Sequence, residues 1–515
     1  MAKKERTVRL PNFIEALIPI VTMVGLMLYH FLGDTDYGDA HMPLVVAIVV
    51  ACIIGAVCGH SFSDMLAGML DRLNATMEAI LILCTVGLLV SSFLMSGTIP
   101  ALIYYGLNLL TPKLFLPIGC ILCAVVGLAC GSSWTATATM GIAMLGIGAG
   151  LGIPTPITAG MIISGAYVGD KFSPLSDTTN LAAAVAETGL FDHVTAMVST
   201  TGPTFLIALI LYTIIGAVVG GGTYDPTVAV ELQAALKEGF NLNPLVLLPI
   251  VVVIIACVMR LPGLVGIAVS VCTGVLFAVI FQPQNIGSLS EVFDVLHYGF
   301  AFESENELAS TLLTRGGMDH TMWTINLVLL AVAYGGALER CGCVEALFGK
   351  IKNHLHSVGS LVLATLLTSL VCDATMCDQF LGIGVPAPLY AEKYDEMGLS
   401  RNMLSRTLED AGTLWAVMFP WTGCGAYQQM TLGVHPFVYF PFAFVNLLNP
   451  IYAAVTAYLG RNIFWADGAY TNLLGKTKMG KMAKGPEEGH AIAMKNLEAL
   501  RAAGKAPTPK ATANK

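Results

Sequence analysis

Apolar runs long enough to cross a lipid bilayer recur along the whole chain, at residues 13–32, 43–58, 77–95, 195–219, 244–259, 265–281, 322–338 and 436–459. The hydrocarbon core of a bilayer takes about 20 helical residues to cross, and within it every backbone N–H and C=O must be satisfied by the protein itself. Such a chain folds as an all-α polytopic membrane protein, because the alternating strands of a membrane barrel do not give unbroken apolar stretches. Composition agrees: 55% of the residues are hydrophobic and 12% charged, against about 25% charged in soluble domains. The net charge of −8 leaves no large basic face for nucleic acid. The 13 cysteines are odd in number, and Cys84, Cys120, Cys123, Cys257 and Cys272 fall inside apolar runs, so packing rather than a disulfide framework is expected. The first apolar run is too long for a signal peptide and has no small-residue cleavage site, which predicts a retained first helix.

Two regions, 114–190 and 357–432, are irregular, dense in Gly, Pro, Ser, Thr and Asp. Uninterrupted helices of this composition are poor in lipid, so broken helices and re-entrant hairpins lining a cavity are expected there. Lys3, Lys4, Arg6, Arg9, Arg260, the stretch 340–352 and the stretch 393–406 carry the cations and are expected on the cytoplasmic side. Asp34, Asp36, Asp39, Asp225, Glu231, Glu303, Glu305 and Glu307 fall in the opposite loops. The loop 282–321 reads as acidic and exposed, and the segment from Gly475 as a flexible tail with a short helix over 487–501.

The two halves echo each other. The LIPIV starting at Leu17 matches the LLPIV starting at Leu247, the span from Met77 matches that from Met322, Cys130-Gly-Ser-Ser matches Cys372-Asp-Ala-Thr, and Gly169-Asp170 matches Glu409-Asp410. Each unit reads as about five transmembrane helices plus one re-entrant hairpin. An odd number of crossings inserts the second copy upside down, giving two inverted-topology repeats with broken helices at the midplane. The organisation is then a cytoplasmic N-terminal tail (1–12), repeat 1 (13–220), an extracytoplasmic linker (221–243), repeat 2 (244–460) and a cytoplasmic C-terminal tail (461–515), in the inner (cytoplasmic) membrane.

The densest polar motif is Ser164-Gly-Ala-Tyr-Val-Gly-Asp-Lys-Phe-Ser-Pro-Leu-Ser-Asp-Thr-Thr-Asn-Leu181. Pro174 lacks an N–H and clashes with the preceding turn, so the helix should unwind over 169–176 and free carbonyls toward the interior. Asp170, Ser173, Ser176, Asp177, Thr178, Thr179 and Asn180 surround that break with hard oxygen ligands suited to a small alkali cation. A carboxylate at membrane depth costs about 2.5–3.5 kcal/mol on insertion scales, which marks Asp170 and Asp177 as functional candidates. The competing structural reading is an Asp170–Lys171 salt bridge and a helix cap at Asp177.

A second break is predicted by Pro420, Gly423 and Gly425 in the segment 407–426, where Glu409, Asp410 and Thr413 mirror Gly169, Asp170 and Ser173. Val417 falls opposite Asp177, so cation binding is expected chiefly in the first half. Two polar knots, at 131–139 and 372–379, mark hairpin turns; Asp373 and Asp378 in the second are candidate ion-binding acids, and Thr135, Thr137 and Thr139 in the first serve equally well as helix back-bonders.

The motif GDKFSPLSDTTNLA from Gly169, SRTLEDAGT from Ser405, the CDQ at Cys377, the Pro420-Trp421 pair and the CGA at Cys424 resemble the NhaC family of Na+/H+ antiporters. The resemblance runs through both halves. It implies a secondary antiporter with inverted repeats, paired hairpins, a homodimeric assembly and an elevator-like motion. The same motifs occur in relatives resembling malate/lactate antiporters. One departure is Thr422, where Asn is expected after Pro-Trp.

The expected activity is therefore exchange of Na+ for H+ by competition at buried carboxylates, with Asp170 and Asp177 as the Na+-binding and titrating groups, and Asp373, Asp378, Glu409 and Asp410 tuning the field or serving a second ion. The alternative is exchange of a small organic anion or an amino acid, coupled to Na+ or H+ and held by half-helix N-termini and Lys171. No enzyme is expected, and no cofactor. There is no H-E-x-x-H and no G-x-S-x-G, and Gly475-Lys476-Thr477 lacks the first Gly of a P-loop, since position 470 is Tyr.

Overall fold

The computed structural model describes residues 8–33, 40–219, 226–259, 261–349, 355–478 and 495. The charges at Lys3, Lys4, Arg6, Asp34, Asp36, Asp39, Asp225, Arg260, Lys350 and Lys352, and the helix expected over 487–501, lie outside them. The chain begins with a hairpin of α1 (Phe13–Gly33) and α2 (His41–Val57), followed by the long α3 (Phe62–Met95) and short α4 (Thr98–Leu109). Next come α5 (Pro112–Cys130), α6 (Ser133–Ala136), a π-turn (Thr137–Gly141) and α7 (Ile142–Gly150), then α8 (Thr155–Phe172), α9 (Asp177–Val185), α10 (Leu190–Val219) and the connecting α11 (Pro226–Gly239). A second series starts with α12 (Leu248–Val258) and α13 (Gly263–Phe281), crosses over through α14 (Leu289–Tyr298) and α15 (Glu307–Leu313), and continues with α16 (Met318–Cys341) and α17 (Cys343–Phe348). It ends with α18 (Val358–Met376), α19 (Gln379–Gly384), α20 (Pro386–Glu396), α21 (Arg401–Gly412), α22 (Gly423–Leu432), α23 (Pro436–Tyr439) and α24 (Phe444–Tyr458).

Among the described residues seven helices are long and apolar enough to cross a membrane, or nine if two bent pairs, angled at 98° and 61°, each count as one span. The outward faces are apolar: Val49, Ile53 and Val57 of α2, Ile207, Ile210 and Ile214 of α10, and Leu276, Val279 and Ile280 of α13 are all exposed. Faces of this kind are stable in lipid and not in water.

Two tightly packed pairs organise the interior, α3 against α16 and α5 against α8. Small residues permit the approach, as expected where apolar helices gain no hydrophobic drive by leaving lipid. A Cβ on Gly336 of α16 would lie 2.5 Å from the carbonyl oxygen of Gly68, and one on Gly169 of α8 would overlap the carbonyl oxygen of Ala124 on α5. Arg72 and Glu339 pair across α3 and α16. Cys120 and Cys123 are fully buried packing residues.

The chain is not purely helical. Residues 463–478, assigned to the tail, carry three antiparallel two-residue strands, β1 (Ile463–Phe464), β2 (Tyr470–Thr471) and β3 (Thr477–Lys478). Gly475 and Lys476 belong to the turn that leads into β3 at Thr477, closed by Asn472 Oδ1, which accepts from the N–H groups of Leu474 and Lys476. In the loop 282–321, Glu303, Glu305 and Glu307 are exposed as expected. Gln282 is fully buried, where it bonds the backbone of Asn241.

Candidate functional site

Both predicted breaks are present. The helix is interrupted at 173–176 between α8 and α9, and at 413–422 between α21 and α22, with a 3-10 turn at Ala416–Met418. Within the knots 131–139 and 372–379, residues 131–132 separate α5 from α6 and residues 377–378 separate α18 from α19. A half-helix that starts inside the protein exposes N–H groups that water cannot reach, and each of these four starts carries an oxygen cap. Ser132 accepts from Thr135 N at 3.3 Å, Ser176 from Thr179 N at 3.5 Å, Asp378 from Phe380 N at 2.6 Å, and Thr422 from Gly425 N at 3.0 Å.

Asp170 sits in the last turn of α8 with 6% of its surface exposed. Its Oδ2 accepts from Ser133 N at 3.0 Å, across the tip of the first hairpin, and the Ser176 hydroxyl lies beside the same carboxylate. Its Oδ1 has no hydrogen-bond partner among the described residues. Gln379 Oε1, from the second hairpin, is also buried and unpartnered. Both residues line one cavity of about 70 Å³, together with Ser132, Ser133, Ser176, Asp177 and Thr178. Asp177 is exposed, and it also lines an adjoining cavity of about 270 Å³ with Glu78. Phe380 is shared with a vestibule of about 880 Å³ bounded by Arg72, Glu339, Leu181 and Leu389.

The second acidic pair lies behind this cavity. Asp410 Oδ1 accepts from Lys171 Nζ at 2.6 Å, Asn449 Nδ2 at 2.7 Å and Thr200 Oγ1 at 3.1 Å, while Arg406 Nε stands 3.7 Å from Oδ2. Lys171, Arg406 and Asp410 are all fully buried. Glu409 Oε1 accepts from Thr413 at 2.9 Å, and Oε2 faces Thr179 Oγ1 at 3.5 Å and His193 Nε2 at 3.4 Å. Hard oxygens and no thiolates surround the cavity, a donor chemistry that fits a small hard cation; no cluster of three or more metal-ligating side chains occurs among the described residues.

A family model described as the Na+/H+ antiporter family matches residues 165–461, which include both breaks, the segment 372–379, and Asp170, Asp177, Glu409 and Asp410. The chain belongs to the Na+/H+ antiporter family. It is 36% identical over 422 residues to the Na(+)/H(+) antiporter NhaC of Alkalihalophilus pseudofirmus, covering 82% of this chain and 90% of that one. It is also 33% identical to the malate-2H(+)/Na(+)-lactate antiporter of Bacillus subtilis, over 89% of this chain and 97% of that one. Identity to the arginine/ornithine antiporter ArcD of Halobacterium salinarum is 35%, over 89% and 94% of the two chains. The chain is thus a multi-pass membrane protein of a transporter family, and its cargo within that family is left open by these relatives.

In this antiporter family member the competing readings of an Asp170–Lys171 bridge and an Asp177 cap are overturned, as is the surface placement of Arg406, and the other residues singled out from sequence are distributed around the breaks. Lys171 pairs with Asp410, not with its neighbour Asp170. Arg406, expected at the cytoplasmic surface with Lys393, is buried one turn inside α21 and bonds the carbonyl of Asn462 at 2.9 Å. The cap of α9 is Ser176, not Asp177. Ser173 Oγ accepts from Leu175 N, and Asn180 Nδ2 bonds the carbonyls of Pro174 and Ser176, so both side chains secure the break and neither lines the cavity. Asp378 is occupied as a cap, and Asp373 is fully buried, away from the cavity, with both oxygens unpartnered among the described residues. Thr137 and Thr139 bond the carbonyls of Ser133 and Thr135 within their own helix. Thr422, the departure from the motif, caps α22, a role that Asn fills equally well. Gln379 and His193 were not singled out as site residues. Gln379 had a signal in its position one residue past a capping Asp, and His193 had none.

Proposed function

We propose that the chain exchanges Na+ for H+ across the cytoplasmic membrane, with Asp170 as the carboxylate for which the two ions compete. The supporting observation is the pair of orphaned oxygens, Asp170 Oδ1 and Gln379 Oε1, lining one small cavity. An unpaired carboxylate in an apolar interior must be neutralised, and a proton and a sodium ion are alternative ways of doing so. Asp170, Gln379 and the Ser176 hydroxyl would hold Na+, with water filling the remaining positions. Asp177 at the mouth concentrates cations without being enclosed. A carrier that crosses only when loaded, with either ion, exchanges them one for the other.

Two inverted repeats, with both termini cytoplasmic, would account for the matched motifs, with α14 and α15 as an insertion in the second copy. The paired broken helices then meet at the midplane around Asp170 and Asp410. A homodimer, implied by the resemblance, is part of the same reading.

A second reading, exchange of an organic anion or amino acid, draws on the two relatives named for such cargo. The cavity of about 70 Å³ accommodates a small ion with a few waters, and this favours the first. Purified protein in liposomes with a lumenal pH dye tests the proposal. Na+ pulses alone should move protons, and a strict requirement for malate, lactate or arginine would overturn the reading in favour of the second.

A further inference from the structure

His193 lies at the start of α10 with no surface exposed. Its Nδ1 is 2.7 Å from Ser405 Oγ, and that hydroxyl is also 3.0 Å from the carbonyl oxygen of Asn402. Its Nε2 faces Glu409 Oε2 at 3.4 Å, an ion-pair distance without the alignment of a hydrogen bond. Ser405 has one hydroxyl hydrogen and two acceptors within reach. With the imidazole neutral, Ser405 donates to Nδ1, and Nε2 turns the ring's own hydrogen toward Glu409. With the imidazole protonated, Nδ1–H donates to Ser405 Oγ, Ser405 donates to Asn402, and Nε2–H still faces Glu409. Arrival of a proton at Nδ1, with rotation of the Ser405 hydroxyl from Nδ1 to the Asn402 carbonyl, converts the first state into the second, so the site takes up or gives up a proton without moving a heavy atom.

We propose that His193, held between Ser405 and Glu409, is a proton-binding site of the exchange cycle separate from the Asp170 carboxylate, and that its loading opposes Na+ binding at Asp170. The inference rests on the reading of Asp170 as the Na+ site. The charged groups to be considered around His193 are the adjoining, exposed Asp192 of α10 itself and those on each helix packed against α10. From α21 these are Glu409, Asp410 and Arg406, and from α8 they are Lys171 and Asp170. Toward α9 they are Asp177 at the cavity mouth and Glu187 beyond the helix end. α24 carries no Asp, Glu, Lys, Arg or His, and its Asn449 bonds Thr204 of α10; the one charged residue of α5, Lys113, packs at the far end of α10 beside Gly216.

With Asp170 ionised, the buried acids of this set are Asp170, Glu409 and Asp410 and the buried bases are Lys171 and Arg406, which leaves one negative charge uncompensated. A proton on His193 neutralises the set, and so does Na+ beside Asp170. Both at once leave a positive charge in an apolar interior, so the two ions exclude one another without sharing a ligand. Hydroxyls lie between the two positions: Thr179 Oγ1 stands 3.5 Å from Glu409 Oε2, the adjacent Thr178 Oγ1 stands 3.0 Å from Ser176 Oγ, and Ser176 lies beside Asp170.

Calorimetric Na+ titration of the detergent-purified protein, in buffers of different ionisation enthalpy, counts the protons released per Na+ bound. His193→Gln should release fewer than wild type, by up to about one proton, and its plot of log Kd for Na+ against pH should be flatter. Glu409→Gln removes the negative charge that faces Nε2 and should show the same loss. Wild-type proton release in either variant overturns the proposal. In the unmodified protein, the Na+-induced infrared difference spectrum should show conversion of imidazolium to imidazole, and a spectrum without it also overturns the proposal. Na+ binding by Asp170→Asn at wild-type affinity would instead remove the Asp170 reading, an outcome distinguishable from failure at His193.

Discussion

Lys171 of the first broken helix donates to Asp410 of the second at 2.6 Å, and neither side chain has any exposed surface. The bond ties together segments 239 residues apart, immediately beside Asp170 on one strand of chain and Glu409 on the other. Removing one partner of a buried ion pair leaves an uncompensated charge, at a typical cost of about 3–5 kcal/mol, whereas removing both is far milder. Lys171→Met and Asp410→Asn should each lower the thermal unfolding temperature in detergent more than the double variant does. Additive losses in the double variant would show that the pair is not coupled.

Asp177 is exposed at the cavity mouth, so it acts on Na+ by attraction rather than enclosure. Asp177→Asn should raise the KM for Na+ about fivefold, the equivalent of about 1 kcal/mol for one charge near the surface, with kcat retained. The effect should shrink as ionic strength rises with a non-transported salt, which initial-rate measurements over a salt series would check.

Gln379 contributes the second orphaned oxygen. Gln379→Leu removes it at similar size and should weaken Na+ binding about tenfold, the worth of one lost interaction to an ion, while leaving the unfolding temperature close to wild type. Direct Na+ titration reads the affinity, and unaltered binding would exclude Gln379 from the ion's surroundings.

Thr422 acts through its cap. Thr422→Asn keeps an oxygen for Gly425 N and should be tolerated, whereas Thr422→Val should cost about 1 kcal/mol of stability. Unfolding temperatures of the two variants separate this role from that of an ion ligand, for which Asn would alter Na+ selectivity instead.

The breaks were legible in the sequence because their causes are local: Pro174 and Pro420 cannot continue a helix, and Ser, Thr and Asp next to such a break seek its free N–H groups. Asp170 was legible because a carboxylate in an apolar run is costly wherever the fold takes it. The partner of Lys171 was not, since a pairing across 239 residues leaves no trace in spacing. Arg406 was misplaced because its neighbours Lys393 and Arg401 look like a charged surface loop, and burial is decided by the packing of α21 against α10 and α24. His193 is a single histidine near the start of an apolar helix, and only the approach of Ser405 and Glu409 from another helix gives it a role. Strands two residues long, as in 463–478, carry too little alternation to be read from pattern.

The central claim is that one carboxylate serves both ions, and Na+-driven proton movement in liposomes containing Asp170→Asn measures it most directly. The account predicts correctly inserted protein with no lumenal pH change after a Na+ pulse, against a clear change in wild type. Wild-type proton movement in Asp170→Asn would contradict it.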